Sequence, residues 1–113
     1  MRVLILDEIV VKPGLAGSYR SAYRDRYMPG AERRNMRLEG AWQNPPITDL
    51  DELPTTLYYL WSVEGVEGWW SMRLSRLPDG ADERFEKQAW WQESDEMTLS
   101  RKRTVLSTQP EDR

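Results

Sequence analysis

A chain of 113 residues is long enough for one hydrophobic core and too short for two. Its 16 basic and 19 acidic side chains leave a net charge of −3, which argues against a nucleic-acid partner held through its phosphates. Cysteine and histidine are both absent, so disulfides, thiolate and imidazole nucleophiles, histidine-ligated haem and ordinary zinc sites are excluded.

Arg2–Val11 is rich in Val, Ile and Leu and predicts a first strand. Val3, Ile5, Asp7, Ile9 and Val11 share one face, and Leu4, Leu6, Glu8 and Val10 share the other. Its apolar start meets Asp7-Glu8 too soon for a signal-peptide core, and no apolar run approaches the ~20 residues of a membrane span. A cytoplasmic protein without a membrane role is therefore expected. Lys12-Pro13-Gly14 stops the strand. A helix follows over about residues 14–27, with Leu15, Tyr19, Tyr23 and Tyr27 at four-residue spacing, and Met28-Pro29-Gly30 should interrupt it.

Met36–Gln43 alternates again, with Met36, Leu38, Gly40 and Trp42 against Arg37, Glu39, Ala41 and Gln43. The stretch 44–54 has three prolines and three acids and reads as a surface connection. Thr55–Val63 is the densest run of strand formers, with Tyr58 and Tyr59 on opposite faces. Val66, Trp69, Trp70, Leu74 and Leu77 follow helical spacing until Leu77-Pro78-Asp79-Gly80 breaks it. A third helix is expected over Asp82–Gln92 and a last strand over Met97–Thr108. The domain then spans residues 1–108, with 109–113 a polar tail.

The six tryptophans include two doublets, Trp69-Trp70 and Trp90-Trp91. Adjacent residues on a helix point about 100° apart, so both rings of a doublet cannot centre one narrow stripe. One ring of each pair should serve the core, leaving the other for a pocket wall or a second subunit. Measured from Phe85, Trp90 and Trp91 fall about 140° and 240° around an ideal helix, so neither shares its stripe.

The order β-α-β-β-α-(α)-β is that of the ferredoxin-like α+β plan, an antiparallel sheet with helices on one face. The other face carries apolar residues from every strand and needs a cover, so a homodimer closed sheet against sheet is expected.

Asp7 is the sharpest polar anomaly, a carboxylate on an otherwise apolar strand face. The last strand should lie beside the first, placing Arg101 or Arg103 within reach. A structural ion pair, a general acid or base, and simple exposure near the strand end all fit that pattern. Tyr19, Tyr23 and Tyr27 fit a core stripe, or a set of hydroxyls offered to a ligand oxygen. If a pocket lies between helix and sheet, Tyr23→Phe is expected to leave the fold nearly intact, because only a hydroxyl is lost. Arg20, Arg24, Arg26, Arg33, Arg34 and Arg37 crowd the first third, a solvated face or an attractor for a carboxylate-bearing ligand or an acidic partner surface. No phosphate-cradling glycine loop is present. Asp49, Asp51 and Glu52 lack the calcium-loop pattern, so no metal site is expected.

The opening strand ending in Val11-Lys12-Pro13-Gly14, the tyrosine-striped helix, Leu38-Glu39-Gly40-Ala41-Trp42 and Leu57-Tyr58-Tyr59-Leu60-Trp61 together resemble the dimeric α/β-barrel superfamily, and within it the NIPSNAP-like group. The resemblance spans most of residues 2–106 and implies a sheet-to-sheet dimer. It also implies a range of roles, from cofactor-independent monooxygenases, lactone isomerases and cyclases to proteins without known activity. The absence of histidine sets the haem-dependent branches aside.

The resulting expectation is a small cofactor-free enzyme acting on an apolar aromatic or polycyclic, oxygen-bearing substrate. Its reaction would be proton transfer, isomerisation or cyclisation, elimination, or cofactor-independent oxygenation. Asp7, Tyr23 and Glu39 are the catalytic candidates. The binding candidates are Tyr19, Tyr27, Trp42, Tyr59 and Trp61, then Trp69, Trp70 and Arg73, then Trp90, Trp91 and Arg103. The alternative is a non-catalytic hydrophobic-ligand-binding or interaction protein of the NIPSNAP-like type.

Overall fold

In the computed structural model, which describes residues 2–46, 51–73 and 84–109, the strand β1 (Arg2–Val11) is central. It pairs antiparallel with β3 (Thr55–Glu64) on one side and β4 (Thr98–Ser107) on the other, and β2 (Arg37–Asn44) adds to β3. The sheet order is β2-β3-β1-β4. Alternation along β1 and β3, broken only where Ser62 is also buried, places Val3, Ile5, Asp7, Ile9 and Val11 beside Thr55, Leu57, Tyr59, Trp61 and Val63 under one helical layer.

That layer begins with α1 (Ala16–Ala22), entered through Gly14, whose φ of +79° is costly for any residue with a Cβ. The expected break at Met28-Pro29-Gly30 is instead a widening. Tyr23–Tyr27 forms a π-helical turn, the Met28 N–H bonds the Tyr23 carbonyl, and α2 (Met28–Arg33) continues from it. Proline explains this. Pro29 has no N–H to donate, and its ring would clash with the Asp25 carbonyl in a regular α-helix. The wider turn removes that demand. It also has a packing consequence, because a four-residue step in an α-helix drifts by about 40°. The π turn rotates less per residue and reverses the drift, so Tyr19, Tyr23 and Tyr27 all remain buried against the sheet. Asn35, at φ 64°, ends α2 in the left-handed conformation.

β2 departs from simple alternation. Leu38 sits opposite Trp61, but Gly40 sits opposite Leu60, leaving Glu39 as an inserted bulge residue. Past the bulge the faces exchange. Ala41 and Gln43 join Leu38 on the helix side, while Gly40 and Trp42 turn to the open side. The expected common face of Leu38, Gly40 and Trp42 is thus corrected. Trp42, 58% exposed, lies across Gly40, where an added Cβ would collide with its indole.

The polypeptide leaves β3 into α3 (Gly65–Arg73) and reaches β4 through α4 (Arg84–Met97), which extends five residues beyond the expected end at Gln92. The expected continuation to Leu77, the break at 77–80 and the helix start at Asp82 lie outside the described residues. The tryptophan doublets divide as their angular separation requires. Trp90 is 3% exposed within the core and Trp91 half-buried, whereas Trp69 packs partly against the core and Trp70 is 50% exposed. Among the described residues no helix covers the sheet's second face, which carries Leu4, Leu6 and Val10 beside Tyr58, Leu60 and Leu106.

Candidate functional site

The space between sheet and helices is filled by aromatic rings. Tyr23 stacks on Tyr59 at 3.9 Å between centroids, meets Tyr27 at 4.8 Å, and takes the edge of Trp90 at 6.0 Å. Their polar atoms form one connected path. The Trp61 Nε1–H donates to the Tyr23 hydroxyl at 2.8 Å, and that hydroxyl donates to Asp7 Oδ2 at 3.3 Å. Arg103 closes on the same carboxylate through Nε to Oδ1 at 2.6 Å and Nη2 to Oδ2 at 2.8 Å. Its Nη2 also donates to the Tyr27 hydroxyl at 2.8 Å. Tyr19 bonds Ser94 Oγ at 2.8 Å.

Burial sets the electrostatics here. It pushes the Tyr23 phenol well above its ordinary range, with the Asp7 charge acting in the same direction. Burial likewise raises Tyr19 and pushes Tyr59 up to about 12, the Arg20 charge opposing the shift at Tyr59. For Arg103, burial favours the neutral form, but the hydrogen-bonded Asp7 carboxylate outweighs it and holds the guanidinium pKa above its usual value. The hydroxyl of Tyr23 therefore serves two buried partners. Its removal would orphan the Trp61 N–H, which corrects the expectation that Tyr23→Phe leaves the fold nearly intact.

Three recesses among the described residues bear on the site. The first, about 80 Å³, is lined by Asp7, Ile9, Trp91, Arg101, Lys102 and Arg103. Trp91 roofs it, with the Arg101 guanidinium 4.4 Å and the Arg103 guanidinium 5.4 Å from its ring centroids. Arg101 itself pairs with Asp95 at 2.9 Å. An apolar cavity of about 150 Å³ accepts benzene, so this cleft suits water or a very small ion.

The second, a groove of about 230 Å³, runs between α1 and β2. Ala41, Trp42 and Gln43 wall it, Leu57 and Tyr59 supply its floor, and Arg20 stands on the helix side. Arg20 Nη1 donates to Gln43 Oε1 at 3.2 Å, and Gln43 Nε2 donates to the Pro45 carbonyl at 3.3 Å. The third recess, about 390 Å³, has a charged rim of Arg2, Arg37, Glu39 and Glu64, in which Glu39 pairs with Arg2 at 2.6 Å.

The structure thus brings Asp7, Tyr23, Tyr27, Trp61, Trp91 and Arg103 together around one carboxylate, with Tyr19 and Trp90 packed beside them. It puts Tyr59 and Trp42 on the α1–β2 groove and Glu39 in a separate recess from Asp7. Trp69 and Trp70 meet edge to face at 4.6 Å and line none of the three. The Arg73 side chain lies outside the described residues. Sequence reasoning missed Arg20 and Gln43 as a groove pair. Arg20 follows Tyr19 in the helix and was legible only as part of an arginine-rich stretch, and Gln43 reaches the helix side only because of the bulge at Glu39. Among the described residues no group of three or more acidic side chains is placed to hold a metal ion, and no helix is long and apolar enough to cross a membrane.

These features define an α+β protein of ferredoxin-like fold, a four-stranded antiparallel sheet with its helices on one face. Solved structures share that fold along nearly the whole chain. A NIPSNAP family protein from Agrobacterium tumefaciens superposes with a TM-score of 0.66 at 14% identity, covering 96% of this chain and 94% of its own. A NIPSNAP domain protein from Burkholderia xenovorans gives 0.65 at 15% identity, covering 95% and 94%. A Nitrosomonas europaea protein provisionally assigned as an antibiotic biosynthesis monooxygenase gives 0.60 at 10% identity, covering 95% and 89%. No protein-family profile matches the chain. No curated protein matches it either. The fold is the one these NIPSNAP proteins have, as the residue pattern of the strands and the tyrosine helix implied.

Proposed function

We propose that this protein binds a small, largely apolar, oxygen-bearing aromatic molecule in the groove between α1 and β2. The observation that carries this reading is the lining of that groove. Leu57, Ala41 and Tyr59 offer apolar and aromatic contact, and Arg20 and Gln43 bring polar groups to the same groove. Binding rather than acid–base catalysis is favoured by the state of the carboxylates. Both oxygens of Asp7 are engaged by Arg103 and Tyr23, and Glu39 is paired with Arg2 in another recess.

Calorimetric titration with 2-naphthol tests the reading. Saturable binding is expected, and Ala41→Trp, which fills the groove from an exposed strand position, should abolish it without changing the circular dichroism spectrum. Absence of binding up to millimolar ligand, or equal binding by Ala41→Trp, would overturn it.

The second reading is a cofactor-free enzyme using the same groove. The Nitrosomonas protein's assignment as a monooxygenase supports it, as does the principle that an electron-rich phenol can itself reduce oxygen. Oxygen consumption with 2-naphthol and no added cofactor separates the two readings. For partners, we propose a homodimer closed through the uncovered sheet face, since Leu4, Leu6, Leu60 and Leu106 form an apolar surface there. Sedimentation equilibrium at tens of micromolar should give a dimer, and Leu60→Asp a monomer.

A further inference from the structure

We infer that the cleft beneath Trp91 binds a small planar monoanion, of the formate, bicarbonate or nitrate type, between the guanidinium groups of Arg101 and Arg103. The cleft lies at the β4 edge of the sheet and the α1–β2 groove at the β2 edge, so this site is separate from the ligand-binding reading above. Three observations converge. First, two cations are gathered against one ring. Arg101 and Arg103 stand two residues apart on β4, opposite Ile9 and Asp7 of β1, so both side chains leave the strand on the helix side. Trp91 of α4 meets both there, its ring centroids 4.4 Å from the Arg101 guanidinium and 5.4 Å from that of Arg103. Side chains so spaced leave the strand about 7 Å apart. Like charges held that close repel, which favours an anion shared between them.

Second, the two guanidinium groups keep unused donors. Each carries five N–H groups in a planar fork. Arg103 commits three of them, two to Asp7 and one to the Tyr27 hydroxyl, which leaves both hydrogens of Nη1 without a partner among the described residues. Arg101 commits its Nε–H to Asp95, which leaves the pair of Nη groups, the end of the fork that grips two oxygens of a planar oxyanion. That Asp95 pair is open to solvent, with side chains 39% and 57% exposed, and exposed pairs of this kind are weak. Asp7 also lines the cleft, but Arg103 already matches its charge, and Lys102 adds a further cation to the described lining.

Third, the size selects. About 80 Å³ is roughly half the ~150 Å³ that admits benzene, which leaves room for about three or four heavy atoms. Formate, bicarbonate and nitrate fall within that size, and a sugar acid does not.

The test follows the indole N–H resonance of Trp91 in nitrogen-15-labelled protein, identified by its disappearance in Trp91→Phe. Sodium formate is titrated near neutral pH, with sodium gluconate, too large for the cleft, holding the ionic strength constant so that screening does not change. A saturable shift is expected, with its midpoint in the millimolar range that so small a ligand reaches at best. Formamide, of the same size but uncharged, should bind about tenfold more weakly, as a neutral acceptor does beside a charge-assisted one. Arg101→Gln should raise the formate midpoint about tenfold by removing one fork. Ala41→Trp, which fills the other groove, should leave the formate response unchanged. A shift that does not saturate at hundreds of millimolar formate, equal affinity for formamide, or an unchanged midpoint in Arg101→Gln overturns the inference. Loss of the response in Ala41→Trp places the anion in the groove and overturns it as well. If Arg101→Gln does not fold, the contrast between formate and formamide in the unaltered protein decides the matter. None of these outcomes bears on 2-naphthol, whose failure to bind would remove the groove reading alone.

Discussion

Asp7→Asn is nearly isosteric, so its cost isolates the charge. In the folded protein Asp7 is 2% exposed and receives three hydrogen bonds, two from Arg103 and one from Tyr23. The amide keeps one acceptor but turns an NH₂ donor toward either the guanidinium or the tyrosine hydroxyl. Removing one partner of a buried ion pair costs about 3–5 kcal/mol. Arg103 has a side chain 26% exposed and keeps the Tyr27 hydroxyl, so part of its charge is solvated and a loss of about 2–4 kcal/mol is expected. For a domain of this size that corresponds to a fall in melting temperature of roughly 8–15 °C. Thermal unfolding followed by circular dichroism measures it. The double variant Asp7→Leu with Arg103→Met should recover most of the loss, because apolar replacement of a whole buried pair is close to neutral. A single variant melting within 2 °C of the parent, or a double variant as unstable as the single, would refute the view of Asp7 as Arg103's structural partner.

Tyr23→Phe should cost about 1–3 kcal/mol in chemical denaturation, since it leaves the Trp61 N–H without an acceptor in the core; an unchanged denaturation midpoint would contradict the hydrogen-bond path. Alkaline titration should show a loss of stability with a defined sign. Tyr59 has its pKa raised from 10.0 to about 12, so the folded state holds its proton longer than the unfolded state does; the stability is full below pH ~10 and is lost as pH rises toward 12, with Tyr19 and Tyr23 shifted the same way. Tyrosinate absorbance from these three should therefore appear together with unfolding, and its full development in a protein that is still folded would count against it. Gly40→Ala should displace the Trp42 indole, detected as a red shift in emission, yet cost no more than about 1 kcal/mol because that ring is exposed and free to swing outward.

What the sequence disclosed follows the periodicity of each segment. β1 alternates strictly over ten residues and β3 as far as Trp61, so their faces, and the placement of Asp7 beside the last strand, could be read directly. β2 was not, because one inserted residue exchanges every later side chain, and Gly40, the local hint of a bulge, does not say which residue is inserted. Pro29 was a visible breaker, but a proline can be absorbed by widening the turn before it, and only packing decides between a break and a π turn. The choice of Arg103 over Arg101 depended on register: Arg103 faces Asp7 and Arg101 faces Ile9, a two-residue difference that a strand assignment without register leaves open. Arg20 and Gln43 escaped notice for the same reason, since their meeting is a consequence of the bulge.

The buried charge is better understood from the aromatic core than from catalysis. Tyr23, Tyr27 and Trp61 fill the space between sheet and helices, and each brings a polar atom into a region that water does not reach. The Trp61 N–H is satisfied by the Tyr23 oxygen, which commits the Tyr23 proton to a further acceptor, and Asp7 is that acceptor. A lone carboxylate at that depth would be expensive, so it requires a cation from the neighbouring strand, and Arg103 in turn donates a further hydrogen bond to the Tyr27 hydroxyl. Each polar group is thus a consequence of the one before it, beginning with the choice to pack the layer with tyrosine and tryptophan rather than leucine. Three of the roughly four acceptor positions of this carboxylate are taken by Arg103 and Tyr23. The same packing leaves little room between the layers, and among the described residues the recess with an apolar and aromatic floor lies at the β2 edge beside Arg20.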